Sequence, residues 1–205
     1  LSAGVHGDEP GGSEGLIAWA EGQIDFLKQA ACVIFPCFNP SGIIDNTRAD
    51  SDGLDLNRQF DSLDHPLFAA WREFLGESKF RIGLCLHEDY DAHGTYVYEL
   101  APPELAIGEN SLAACASIIP PEPDPDIEGR PAAAGVIRPT ESLEELFQML
   151  KDEEAGVPEA IVLQMERSSI TLTFETPSEY SLYARVRTQM KFIETALSLA
   201  GISQA

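Results

Sequence analysis

LSAGVHGDEP, residues 1–10, opens the chain with a short apolar run that leads into a glycine, a histidine and a glutamate. Small and apolar residues followed at once by glycine predict a buried strand that breaks into a tight turn. In open α/β sheets, binding sites form just beyond the carboxyl ends of the strands. His6 and Glu9 therefore lie where a site is expected, and zinc accepts both types of ligand.

A single His-x-x-Glu spacing is weak support for a metal site, because a lone histidine is more often a structural or surface residue. A catalytic zinc ion takes three protein ligands and keeps a fourth position for water. A third ligand is therefore needed elsewhere in the chain. His87, which follows the apolar run 80–86, is the candidate.

The composition limits the classes of protein to consider. The chain has 205 residues, of which 44% are hydrophobic, as expected for one folded domain over 1–205. Its net charge of −21 opposes binding to nucleic acid and to anionic membrane surfaces. No apolar run approaches the roughly 20 residues that span a bilayer, so no membrane helix is predicted. The composition gives no prediction of the oligomeric state.

The cysteines bear on the cellular compartment. There are four, none in a Cys-x-x-Cys pair, which favours a reducing, cytoplasmic compartment over a disulfide framework. The chain opens in mid-strand without a methionine, which predicts a segment before Leu1 and leaves room there for a secretion signal.

Strand and helix patterns alternate along the rest of the chain. Apolar or alternating runs predict strands at 31–38, 80–86, 95–100 and 169–175, the first covered on both faces. Helical spacing predicts helices at 11–28, 66–76, 104–118, 141–152 and 178–200, with Thr140 or Ser142 capping the fourth. A turn is expected at 39–42, and loops at 43–60 and 120–126. This order predicts a three-layer α/β/α fold around a mostly parallel, mixed, doubly wound sheet.

Chemically active residues lie at the ends of four predicted strands, namely the strand that opens the chain and those at 31–38, 80–86 and 169–175, and parallel strands would bring them to one rim of the sheet. The motifs are, in order, His6-Gly-Asp-Glu9, Asn39-Pro-Ser-Gly42, Arg48, Asp55-Leu-Asn57-Arg58, His87 and Thr173-Phe-Glu175-Thr176. Together they resemble the zinc carboxypeptidases of the carboxypeptidase A type. They are also similar to the related aspartoacylase and succinylglutamate desuccinylase enzymes.

The resemblance implies a zinc carboxypeptidase-like fold and a zinc-dependent metallocarboxypeptidase that hydrolyses a C-terminal peptide bond through a zinc-activated water. It implies that His6, Glu9 and His87 bind one zinc ion. Glu175 would act as general base and then as the acid that protonates the leaving amine. These roles agree with chemistry, since zinc lowers the pKa of its water to about 7 and amide hydrolysis then needs an acid/base carboxylate.

The same resemblance assigns the substrate contacts. Arg48 would stabilise the oxyanion, and Asn57 with Arg58 would hold the substrate's terminal carboxylate, which suits a guanidinium because its planar fork pairs bidentately. Asp55 would orient His6 and fix its tautomer. The alternatives are a surface ion pair with a neighbouring aspartate for Arg48, and a cap on the following helix for Glu175.

Two other functions stay open. An N-acyl amino acid amidohydrolase of the aspartoacylase/succinylglutamate desuccinylase type would use the same zinc and base in an enclosed, arginine-rich pocket. A catalytically inactive binding protein would keep only the fold. The length and acidity of 88–165 favour peptides as substrates over acyl amino acids.

A second metal ion would need acidic or histidine residues close to the three ligands. The candidates are Asp8, Glu88, Asp89, Asp91 and His93, and a solvated acidic rim is the alternative. No tyrosine aligns with the mobile tyrosine that covers the substrate in digestive carboxypeptidases.

Overall fold

The computed structural model describes residues 1–153 and 155–202. The strands are β1 (Ser2–Ala3), β2 (Gly83–Asp89), β3 (Tyr96–Leu100), β4 (Asp126–Ile127), β5 (Arg130–Ala133), β6 (Val136–Ile137) and β7 (Thr171–Pro177). The helices are α1 (Pro10–Gly22), α2 (Ile24–Leu27), α3 (Pro40–Asp45), α4 (Pro66–Leu75), α5 (Gly108–Cys115), α6 (Leu143–Asp152), α7 (Glu159–Glu166) and α8 (Leu182–Leu199). None of these described helices is long and apolar enough to cross a bilayer.

The strands form one mixed sheet in the order β1-β2-β7-β3-β6-β5-β4. β1, β2 and β7 run parallel, and β3 lies antiparallel to β7. β6 is parallel to β3, and the short β5 and β4 continue the edge with antiparallel pairings. The predicted α/β class with a mixed sheet is therefore confirmed, with parallel pairings concentrated on the side that bears β1, β2 and β7.

Apolar side chains cover both faces of the sheet. On one face, Leu84 and Phe174 of the central strands pack against α1, α5 and α8, where Phe174 stacks on Phe192 with ring centroids 3.8 Å apart. On the other face, Phe60 and Trp71 belong to a second cluster that includes residues of α4, α6 and α7. These two layers of helices enclose the sheet, as the predicted three-layer arrangement requires.

The predicted strand at 31–38 is wrong in extent. Only Phe35 bridges to Ser2, and most of the run is half-buried or exposed, so it is not covered on both faces. It lies beyond β1 at the edge of the sheet, where a two-residue strand offers few pairing partners. The turn predicted at 39–42 instead begins α3, because Pro40 starts the helix and the Asn39 side chain accepts from the Gly42 N–H.

Other boundaries differ by a few residues. The predicted helix at 11–28 is divided at Gln23 into α1 and α2, and the helix at 104–118 is reduced to α5 with a 3₁₀ turn before it. Ser142, not Thr140, caps α6, and it forms a reciprocal capping box with Glu145. The strands β4 to β6 and helix α7 were not predicted.

The predicted loop at 120–126 contains one buried acidic residue. Glu122 accepts hydrogen bonds from the N–H groups of His93 and Gly94 at 2.8 and 2.7 Å. The remainder of this proline-rich loop is mostly exposed, as expected.

Candidate metal centre and cleft

Alternation along three neighbouring strands places one set of side chains on the same face of the sheet. The members of this set that line a common cleft are Cys85, His87 and Asp89 of β2, Thr173 and Glu175 of β7, and Tyr96, Tyr98 and Leu100 of β3. His87 is directly opposite Glu175 across the parallel pair, and Glu175 is opposite Tyr96 across the antiparallel pair. The third predicted ligand and the predicted base are thus adjacent because two parallel strands end together.

The turn between β1 and α1 carries the other two predicted ligands. Gly7 is needed there, since a Cβ atom at this position would lie 1.9 Å from the Gly42 carbonyl carbon at the start of α3. Pro10 then begins α1 directly after Glu9. This close contact between the turn and α3 places His6 and Glu9 over the end of β2.

The structure brings His6, Glu9 and His87 together in a buried cluster. The Nδ1 atom of His6 lies 2.5 Å from Glu9 Oε1, and the Nδ1 atom of His87 lies 2.9 Å from Glu9 Oε2. The potential ligand atoms of the three residues all lie within 4.8 Å of one another. Two imidazole nitrogens and one carboxylate in so small a volume fit the donor set of a catalytic zinc ion.

Electrostatics keep the carboxylate of this cluster ionised. Burial alone would raise the pKa of Glu9, but His87 and His6 outweigh that effect and lower the pKa to about 2. Burial would lower the pKa of His87, and the neighbouring carboxylate reverses the shift and raises it. The cluster therefore holds its negative charge on Glu9, the form that binds a cation.

Asp55 contacts the far side of the His6 ring. His6 Nε2 lies 3.1 Å from Asp55 Oδ1, while Nδ1 of the same ring faces Glu9. An aspartate in this position selects the tautomer whose Nδ1 is free to act as a ligand. This contact is the one expected of a residue that orients His6.

Glu175 lies beside the three predicted ligands but outside their hydrogen-bonded cluster. Its carboxyl group is almost fully buried, and burial raises its pKa, an effect that the charge of His87 opposes. The alternative role as a helix cap is wrong, because α8 begins at Leu182, seven residues later, and is capped by Ser181.

Arg48, Asn57 and Arg58 also line the cleft. Arg48 Nε donates to Asp55 Oδ2 at 3.1 Å, and its Nη1 lies 3.6 Å from Glu9 Oε1. Arg48 therefore makes the aspartate ion pair that was the alternative interpretation, and does so at the edge of the cleft.

Asn57 and Arg58 belong to a 3₁₀ turn at Leu56–Arg58. The side-chain oxygen of Asn57 accepts from the Glu159 N–H at 3.2 Å, an assignment that leaves its amide N–H groups as donors. Arg58 Nη1 donates to the backbone oxygen of Asn57 at 3.1 Å.

The cleft has a volume of about 360 Å³ and is lined by both polar and apolar side chains. Residues that the sequence interpretation missed include Leu100, Ile137, Leu146 and Ile161 on the apolar side, and Glu128 and Arg130 on the β4–β5 hairpin. Tyr96 and Tyr98 could have been found, because alternation in 95–100 places both on one face of a strand. Leu100 lies on the same face of that strand, and Leu146 lies in the predicted helix α6, whereas Glu128, Arg130 and Ile137 come from the β4–β6 segment, whose elements are too short to give a periodic signal.

The N-terminal part of the chain matches a known family. Residues 1–79 match the sequence profile of the Succinylglutamate desuccinylase/Aspartoacylase catalytic domain. The resemblance to this family is confirmed. The matched region contains His6, Glu9 and the loop with Arg48, Asn57 and Arg58.

Solved structures share the fold at low sequence identity. A suggested metallopeptidase from Shewanella denitrificans superposes with a TM-score of 0.81 at 21% identity, over 98% of this chain and 74% of that one. Helicobacter pylori Csd4, a D,L-carboxypeptidase in its mDAP-bound form, gives a TM-score of 0.65 at 19% identity over 99% of this chain. The succinylglutamate desuccinylase/aspartoacylase of Rhodobacter sphaeroides gives 0.57 at 19% identity over 98% of this chain.

The lengths of these proteins differ from that of this chain, which covers 50% of Csd4 and 54% of the Rhodobacter protein. A comparison with curated protein sequences gives no match. The fold is thus that of metallopeptidases and of the desuccinylase/aspartoacylase enzymes.

The candidates for a second metal ion do not form a cluster of their own. Within 1–153 and 155–202, His6, Glu9 and His87 are the one group of three such residues with metal-ligand spacing. Glu88 points to the opposite face of β2, where Arg185 Nη1 donates to it at 2.5 Å, and Asp89 accepts from the Tyr96 hydroxyl at 2.9 Å. The described geometry therefore fits one ion.

Proposed function

We propose that this protein is a zinc-dependent metallocarboxypeptidase that removes a C-terminal residue from a peptide. The observation that carries the proposal is the juxtaposition of the buried His6–Glu9–His87 cluster with Glu175, across the register pair His87–Glu175. A metal-binding cluster beside a carboxyl group of raised pKa, both in one cleft, is the arrangement that amide hydrolysis needs.

The residues of the candidate site have separate roles in hydrolysis. His6, Glu9 and His87 would hold the zinc ion, which supplies a Lewis acid that makes water nucleophilic near neutral pH. Glu175 accepts a proton from the attacking water and then delivers it to the nitrogen of the leaving amine as the C–N bond breaks. Its burial favours this exchange, because a carboxyl group of raised pKa is a stronger base when it is ionised and is more readily protonated near pH 7.

Arg48 and Arg58 supply positive charge to the developing oxyanion and to the substrate's carboxylate. Arg48 lies close to Glu9, and its guanidinium would donate to the oxygen on which negative charge develops. Arg58 and the amide of Asn57 bind the free carboxylate of the substrate and so place the last peptide bond at the reacting groups.

A second candidate function is hydrolysis of N-acyl amino acids, which the match of residues 1–79 to the desuccinylase/aspartoacylase profile favours. The apolar side of the cleft, with Leu100, Ile137 and Leu146, is less suited to a small dianion than to a peptide.

A substrate screen separates these functions. The zinc-loaded protein is assayed with peptides of varied C-terminal residue and with N-acetyl and N-succinyl amino acids. Release of C-terminal residues is the expected result. Turnover of the acyl amino acids alone would contradict the peptidase proposal, and turnover of no substrate would favour a binding protein.

Removal of the Arg58 guanidinium is expected to affect only substrates with a free carboxylate. Arg58→Ala should lower kcat/KM for free peptides about 10- to 100-fold, as expected for loss of a charge-assisted hydrogen bond, and leave amidated peptides at their low basal rate. The measurement is kcat/KM for matched free and amidated peptides. Arg187→Ala, on the exposed face of α8, serves as the control. Equal losses on both peptides would remove carboxylate binding from the role of Arg58.

A further inference from the structure

The opposite face of β2 carries a buried polar network that the proposed reaction does not use. Its centre is the carboxylate of Glu88, which has no exposed side-chain surface. Glu88 Oε2 accepts from the Gly11 N–H at 2.8 Å and from Arg185 Nη1 at 2.5 Å. Glu88 Oε1 accepts from the Thr176 hydroxyl at 3.2 Å.

Two of these contacts, to Gly11 and Thr176, reach segments that bear a residue of the candidate site. Gly11 follows Glu9 by two residues, Thr176 follows Glu175, and Glu88 follows His87. The backbone N–H of Glu88 also donates to Glu9 Oε2 at 3.1 Å. One carboxylate therefore connects the turn, β2 and β7 from behind the sheet.

Helix α8 completes the network. Arg185 belongs to this helix, and one turn later Gln189 Nε2 donates to the His87 carbonyl oxygen at 2.9 Å and to the Thr176 hydroxyl at 3.1 Å. Gly11 packs closely against Glu88, since a Cβ atom at Gly11 would lie 2.3 Å from Glu88 Oε1. α8 is thereby tied to the backbone of a predicted metal ligand.

We propose that Glu88, paired with Arg185, is a positioning residue that sets the geometry and affinity of the metal site from the opposite face of the sheet. This inference rests on the proposed metal site. Glu88 does not touch the metal or the substrate, and acts by holding Gly11, His87 and Thr176 in fixed relation. Loss of partners that orient metal ligands typically lowers metal affinity about 10- to 100-fold.

The chain contains a matched control for this network. Glu99 of β3 is also buried, pairs with Arg138 Nη2 at 2.5 Å, and accepts from the N–H groups of Ile107 and Gly108 at the start of α5. It thus repeats the contacts of Glu88 to an arginine and a helix N-terminus, but the residues that contact its carboxylate lie in no segment that bears a predicted metal ligand or Glu175. A purely structural role would make the two carboxylates equivalent.

The test compares Glu88→Gln with Glu99→Gln. A carboxamide keeps the size of the side chain but has one acceptor oxygen, so it cannot accept from all the donors that surround either position. Zinc affinity is measured by competition with a chromophoric chelator, and ligand geometry by the visible spectrum of the Co²⁺-loaded protein. We expect Glu88→Gln to weaken zinc binding about 10- to 100-fold and to change the Co²⁺ spectrum, and Glu99→Gln to alter neither.

A second pair of variants leaves the charge of Glu88 unchanged. It tests the positioning role of Glu88 if Glu88→Gln does not fold. Gly11→Ala forces the Glu88 carboxylate to move, whereas Gly22→Ala, in the same helix, meets no atom within 4 Å. Gly11→Ala should weaken zinc binding and Gly22→Ala should not.

Wild-type zinc affinity in both Glu88→Gln and Gly11→Ala would overturn this inference alone, as would equal weakening by the Glu99→Gln control. Failure of the wild-type protein to bind zinc would overturn the proposed function together with it.

Discussion

Replacement of Glu175 by glutamine is expected to lower turnover about 10²- to 10⁴-fold, because the carboxamide cannot accept a proton from water or return one to the leaving amine. The zinc content should not change, since Glu175 lies outside the cluster formed by His6, Glu9 and His87. The measurements are kcat on a cleaved peptide and metal content by elemental analysis of the same preparation.

Glu179→Gln makes the same chemical change four residues later, on an exposed side chain, and should leave both quantities at the wild-type level. An unchanged rate in Glu175→Gln would refute the general-base role. Loss of zinc from that variant would instead mean that Glu175 belongs to the ligand set.

The second large effect is expected from His87→Ala. The wild-type protein, purified without added metal, should contain about one zinc ion per chain, because three protein ligands suffice for a catalytic site. Alanine removes one of the three, so affinity should fall by more than the roughly 10- to 100-fold that follows loss of a residue that only orients a ligand. The purified variant should therefore contain almost no zinc and show no turnover.

His93→Ala provides the matched control, since His93 is a histidine six residues later whose side chain is exposed. It should retain the wild-type zinc content. Two metal ions per chain, with one lost in His93→Ala, would contradict the single site. Full zinc content in His87→Ala would exclude His87 as a ligand.

The sequence was sufficient to predict the parts of the fold that have strong periodicity. Strand β3 and helices α4, α6 and α8 were located to within a few residues, because each gives an uninterrupted pattern of period 2 or 3.6. The side chains at strand ends could also be predicted to converge. His87 follows an apolar run and Glu175 ends an alternating one, and parallel pairing of β2 with β7 places them side by side.

The remaining structure depends on contacts that a sequence pattern does not encode. The strands β4 and β6 have two residues each, and β5 carries a proline, so none of them shows an alternation that could be recognised. The apolar run at 31–38 predicts a paired strand that the structure does not contain. Its composition reflects partial burial at a sheet edge rather than strand pairing.

The role of Glu88 illustrates a further limit. From its position next to His87 it was considered as a ligand for a second metal ion, whereas it faces away from the cleft toward Arg185. The alternation of β2 determines this orientation, and it can be assigned only when the strand's true extent through Asp89 is known.

The two faces of β2 carry different sets of buried polar residues, and this limits the insertions and deletions that the strand tolerates. Substitutions at single positions in the strand alter one face and spare the other, but loss or gain of one codon before His87 would exchange the faces. An imidazole would then enter the interface with α8, and the carboxylate of Glu88 would enter the cleft. The length of β2 should therefore be intolerant of change.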